Sequence, residues 1–138
     1  MRFIVFVKAN ADTEAGVMPT EQEMAEMMSF NEKLVAAGLM RDGEGMHPTS
    51  AGARVRFDGA TRTAEKGPFP LNNTVAGFWM LEAGSLDEVI EWMKQCPNPT
   101  GQKGELEIRQ LFDPADFGEA LTPELIAREQ KMREQVGG

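Results

Sequence analysis

Cysteine and histidine are almost missing from this chain: each occurs once, as Cys96 and His47. A single cysteine rules out an internal disulfide and fits a reducing compartment. One His, one Cys and no clustered carboxylate spacing supply no first-row ligand set, so neither a metal nor another cofactor is expected. Positive charge is also short, with 14 Lys and Arg against 22 Asp and Glu, a net charge of −8 and a pI near 4.7. Nucleic acids and anionic membranes are recognised by basic patches, so neither is an expected partner. No long apolar run is present. The opening stretch places five apolar residues, Phe3 to Val7, between Arg2 and Lys8, shorter than the apolar region of a signal peptide and far shorter than a membrane span. A cytoplasmic, soluble protein is expected. Phosphate-cradling loops are missing too, because Gly43 to Gly45 is short and no helix follows it.

What remains is ordinary for a globular domain. The 138 residues are 41% hydrophobic and 26% charged, enough for one domain with an appendage and no staples. Ten methionines suit adaptable core filling or a surface that accepts ligands. Phe3 to Val7 has the continuous apolar character of a central strand, and Lys8 to Gly16 reads as a polar loop. Thr20 and Glu23 form a capping box for a helix ending at Gly38, with Met24, Met27, Met28, Leu34 and Val35 on one stripe. Asn31 falls within that stripe. A buried amide needs partners, either in the core or on a substrate.

Leu39 to Met46 reads as a short strand interrupted by a turn at Asp42–Gly45. Arg54 to Phe57 alternates basic and apolar residues, Asp58-Gly59 is a turn dipeptide, and a second short strand leads to Gly67-Pro68-Phe69. Val75 to Glu82 is apolar on both faces and is therefore central. Ser85 and Glu88 cap a helix reaching about Cys96, with Leu86, Val89, Ile90, Met93 and Cys96 on its stripe and Pro97 to Pro99 stopping it. Glu105 to Phe112 alternates as a strand. Thr122 and Pro123 open a last, mostly charged helix carrying Leu125, Met132 and Val136, which reads as an arm on another surface or a frayed tail.

Strand, helix, strand, hairpin, strand, helix, strand is an α+β, ferredoxin-like plan with the helices on one face of an antiparallel sheet. The uncovered face would be a large apolar patch unless a second copy buries it, so a homodimer is expected. The boundary falls near residue 113, giving a domain over 1–113 and a helical extension over 114–138.

Several short motifs follow this plan in order: Gly43-Glu-Gly45 with His47-Pro48, Arg54-Val-Arg56, Asp58-Gly59, Gly67-Pro-Phe69, Gly77-Phe-Trp79, and Asp87-Glu-x-x-Glu91-Trp92 to Cys96-Pro97. Together they resemble the YCII-related, or DGPF-domain, family from Met1 to about Phe112. The tail around Phe117 to Pro123 is similar to that of one bacterial branch. The resemblance implies a dimeric α+β barrel with a small-molecule cleft in each subunit. Most members have no assigned reaction, and one relative is a dechlorinating enzyme of aromatic degradation. Two departures stand out. Lys66 replaces the acidic residue of Asp-Gly-Pro-Phe, followed by Pro70 to Asn73 instead of charges, and no residue from Glu21 to Ala37 is the His that some relatives pair with an Asp.

His47 is the only group that ordinarily titrates near neutrality. It is the candidate general base, with Glu44 in the preceding turn as orienting partner; the competing reading is a surface or capping histidine. Lys8 and Arg54 are candidate anion contacts at strand ends, or solvated charges. Asn31, Phe69 and Trp79 are candidate substrate contacts, or core. Cys96 reads as an inert buried thiol. Two functions follow: a cofactor-independent enzyme acting on a small anionic or aromatic molecule by proton abstraction or elimination, or a non-catalytic ligand-binding or regulatory module.

Overall fold

The computed structural model describes residues 1–98 and 103–137. The strands are β1 (Arg2–Lys8), β2 (Met40–Gly45), β3 (Ala53–Asp58), β4 (Thr61–Lys66), β5 (Val75–Glu82) and β6 (Leu106–Gln110). The helices are α1 (Ala11–Glu14), α2 (Glu21–Ala36), α3 (Leu86–Met93) and α4 (Pro123–Val136), with 3-10 turns at Thr49–Ala51 and Pro114–Ala120. Four strands make an antiparallel sheet in the order β2-β5-β1-β6. That order, with α2 and α3 on one face, is the expected ferredoxin-like arrangement.

The core explains the layering. Phe3 and Val5 of β1 and Trp79 and Leu81 of β5 meet Phe30 and Leu34 of α2 and Val89 and Met93 of α3, all buried. Each large apolar side chain removed from water contributes about 1.5–3 kcal/mol, which holds both helices on this face. The alternate residues Ile4, Phe6, Phe78 and Met80 lie on the opposite face. Their registers pair Ile4 with Met80 and Phe6 with Phe78. Neither α2 nor α3 covers them.

Several expectations need correction. On α2 the buried residues are Phe30 and Leu34, while Met24, Met28 and Val35 are exposed. Counting methionines as core displaced the phase of the stripe toward solvent. The turn expected at Asp42–Gly45 is part of β2, which stays paired with β5 through Gly45. The reason for glycine there is spatial: a Cβ on Gly43 would lie 3.2 Å from the Trp79 ring and 2.8 Å from the Met40 methyl. α3 ends at Met93, short of Cys96, and Pro99 of the expected stop lies outside the described residues. The loop after β1 holds α1, capped reciprocally by Asn10 and Thr13.

The hairpin forms a separate two-stranded sheet, β3-β4. Its base is fixed by packing at a glycine. A Cβ on Gly67 would sit 1.8 Å from the Thr49 carbonyl oxygen, so no other residue allows this approach. Gly67 N–H donates to the Gly52 carbonyl at 2.9 Å, and Phe69 N–H donates to Thr49 Oγ1 at 2.9 Å.

Candidate functional site

Thr49 is the hub of the region that holds the lone histidine. Its backbone N–H donates to Glu14 Oε1 at 2.7 Å, and its hydroxyl donates to Glu14 Oε2. These bonds, the hydroxyl's first, hold the Glu14 carboxyl below the usual carboxylate range. One carboxylate therefore ties α1 to the turn after His47, and the same hydroxyl ties that turn to the Gly67-Pro68-Phe69 corner.

A pocket of about 410 Å³ opens beside this hub. Met46, His47, Thr49, Arg54, Phe69 and Thr74 are among its lining residues. Phe69 is buried, and the Arg54 guanidinium lies over its ring, 4.0 Å from the centroid. Such stacking fixes the planar cation without using up its donors. Among the described residues Arg54 has no ion pair and His47 has no hydrogen bond. Thr74 Oγ1, at the wall of the same pocket, is a buried hydroxyl without a hydrogen-bond partner among the described residues. A buried polar atom left unpaired costs free energy, about 1–3 kcal/mol.

The remaining candidates line two adjoining pockets around Trp79. Asn31, Glu44 and Trp79 line one of about 300 Å³; Lys8 and Trp79 line another of about 270 Å³. Val7, Thr13, Met27 and Trp79 belong to both, so the two share a wall. Asn31 Oδ1 accepts the Trp79 indole N–H at 2.9 Å, the satisfied core amide that one reading required. Lys8 is paired with Glu107 at 3.2 Å. That bond and the lysine charge lower the Glu107 pKa.

The structure thus brings His47, Arg54 and Phe69 together and keeps Glu44, Asn31, Lys8 and Trp79 elsewhere. Glu44 and His47 line different pockets, with no hydrogen bond between them. β2 stays paired with β5 through Glu44 to Gly45 instead of turning back. Thr49, Glu14 and Thr74 were not found from sequence. The signal that existed was the Ser/Thr content of His47-Pro48-Thr49-Ser50, but its partner Glu14 is 35 residues away.

Burial pushes the Cys96 thiol up to about 11, the direction that makes it a poor nucleophile. Among the described residues no group of three or more His, Cys, Asp or Glu side chains is placed to hold a metal, and no helix is long and apolar enough to cross a membrane.

Comparison with known proteins places these features. An uncharacterized protein of Rhizobium meliloti is 27% identical over 92 residues, 66% of this chain and 74% of that protein. Among solved structures, 5-chloro-2-hydroxyhydroquinone dehydrochlorinase from Burkholderia phenoliruptrix, in complex with 2,5-dihydroxybenzoquinone, is similar at 15% identity and a TM-score of 0.47. The likeness covers 81% of this chain and 94% of that one. The model of the YCII-related domain matches residues 1–114. The chain belongs to the YCII-related domain family.

Proposed function

We propose that the pocket holding His47, Arg54, Phe69 and Thr74 binds a small organic anion with an aromatic or otherwise apolar body. The observation that carries this is the state of Arg54: an aromatic ring holds it in place, and among the described residues it has no ion pair. A guanidinium so fixed offers a bidentate fork to a carboxylate or phenolate. Phe69 and the alkyl groups of Met46 and Val75 line the space for the apolar body. Charge-assisted hydrogen bonds are worth about 1.5–3 kcal/mol, so Arg54→Ala should weaken binding by about 10–100-fold.

Thermal-shift titration with benzoate, its neutral amide and an aliphatic acid tests the reading, since a ligand that binds only the folded state raises the melting temperature. Benzoate should raise it, the amide should not, and Arg54→Ala should remove the response. An unchanged response in Arg54→Ala would contradict the assignment.

The second reading is catalytic, with His47 removing a proton from the bound anion. It is favoured by the imidazole sharing the pocket with Arg54. Its orienting partner would be Glu44 only after a rearrangement of β2, so substrate contact must orient the ring instead. Deuterium uptake from solvent into a bound acid with an acidic C–H, lost in His47→Gln, separates catalysis from binding.

The assembly proposed with this function is a homodimer in which the open face bearing Ile4, Phe6, Phe78 and Met80 is buried by a second copy. The segment 114–138 extends the 1–113 domain as a separate helical arm. A net charge of −8 and one cysteine fit a cytoplasmic protein that does not bind nucleic acid or membranes.

A further inference from the structure

The β3-β4 hairpin, residues 53–66, is exposed at every position. Two strands alone are marginal in water, because one pair buries too little apolar surface to offset its ordering. This one is anchored at its base, by the Gly67 N–H to the Gly52 carbonyl and by Arg54 over Phe69, and each strand reaches roughly 20 Å at ~3.3 Å per residue. Cross-strand pairing sets its faces: Val55 opposes Ala64, Phe57 opposes Arg62, and Ala53 opposes Lys66. Val55 is 58% exposed and Phe57 71%. One face is therefore an apolar stripe with Lys66 and Arg62 at its two ends, both on β4, the Arg62 guanidinium 4.5 Å from the Phe57 ring centroid. On the other face Arg56 is already paired with Glu65. Arg62 and Lys66 have no ion pair among the described residues.

Charge points to what this face meets. The hairpin holds four cations and two carboxylates, a net +2 within a chain of −8, so the rest of the molecule carries −10. On the open face of the four-stranded sheet, Asp42 stands opposite Met80 and Glu44 opposite Phe78. Among the described residues neither acid has an ion pair. The hairpin's apolar stripe with unpaired cations matches the sheet's apolar centre with unpaired acids along β2.

We propose that the hairpin is a docking arm that lies on the open sheet face of a second copy. Val55, Phe57 and Ala64 cover Phe78 and Met80, and Arg62 and Lys66 face Asp42 and Glu44. This rests on the homodimer reading above and names the element that makes the contact. Duplex DNA is the competing anionic occupant. The observations favour a second copy because a polyanion offers nothing to the apolar stripe and is repelled by the acidic body.

Sedimentation equilibrium of the full chain tests the proposal, with Val55→Glu/Phe57→Glu as the first variant. Both side chains are exposed in the single chain, so circular dichroism should be unchanged while the dimer dissociation constant rises at least 100-fold. Arg62→Glu, a change beside the turn, should weaken the dimer about tenfold, and adding Asp42→Arg should restore it. A dimer of unchanged affinity in both hairpin variants would overturn the arm and leave the sheet-face dimer standing. A wild-type chain that stays at 15.2 kDa would overturn both. Salt-sensitive binding of labelled duplex DNA that is lost in Arg62→Glu, with dimerisation untouched, would reassign the arm and overturn the proposal.

Discussion

Gly67 and Glu14 do more for the pocket than any residue that lines it by charge. Gly67 admits the Thr49 carbonyl where a Cβ would stand at 1.8 Å, so Gly67→Ala must displace either the turn or the base of the hairpin. Overpacking of a site that cannot relax costs about 1–3 kcal/mol, and equilibrium urea unfolding should show a loss at or above that range. Glu14 adds a pH dependence. Its folded carboxyl lies below the usual value of 4.5 because Thr49 donates to the ionised form. The folded state therefore binds that proton less readily than the unfolded chain does. The stabilisation is complete above the ordinary carboxyl range and disappears as pH falls through the lowered folded pKa. Glu14→Gln should be less stable than wild type at neutral pH, and the difference should shrink as pH falls through and below the ordinary carboxyl range. Denaturant midpoints measured across that range check it. A constant difference would mean that the carboxylate charge contributes nothing.

At the scale of elements, α2 is held to the sheet by packing and by one polar link, Trp79 Nε1–H to Asn31 Oδ1 at 2.9 Å. Asn31→Ala leaves a buried indole donor unpaired and should cost about 1–3 kcal/mol. A double-mutant cycle with Trp79→Phe isolates the bond: coupling near zero would show that the two groups act independently. The elements were largely legible in the sequence because their signals are local. Thr20 with Glu23, Ser85 before Glu88, and Thr122 with Pro123 each mark a helix start that the structure has. The alternation of Leu106 and Ile108 marks β6. What was illegible depends on distant partners. β2 keeps pairing through Gly43 because the Trp79 ring of β5 needs the room there, and Gly77 of β5 admits the Glu44 carbonyl, which a Cβ would meet at 2.9 Å; β3 leaves the main sheet although its alternation suits one. The candidate site divides in the same way. His47, Arg54 and Phe69 carry residue types that suggest chemistry, whereas Thr74 has no such signal and Glu14 joins them only through the fold, 35 residues from its partner Thr49.

For the whole molecule, the four-stranded sheet has one face covered by α2 and α3 and one, carrying Ile4, Phe6, Phe78 and Met80, that neither of them covers. An exposed hairpin projects from the same chain. The pocket lies where these parts meet, between the end of β2, the base of β3 and the corner leading to β5. A ligand there would contact segments that the Glu14–Thr49–Phe69 link already holds in register, so little ordering cost should accompany binding.

The central claim is that this pocket takes a small organic anion between Arg54 and His47. Because the chain has one histidine, its imidazole C–H signals in a proton NMR spectrum need no assignment by mutation. Titration with benzoate should move the His47 signals saturably in wild type and leave them in place in Arg54→Ala. If benzoate stabilises the protein while the His47 signals stay fixed, the anion binds elsewhere and the assignment of the pocket is wrong.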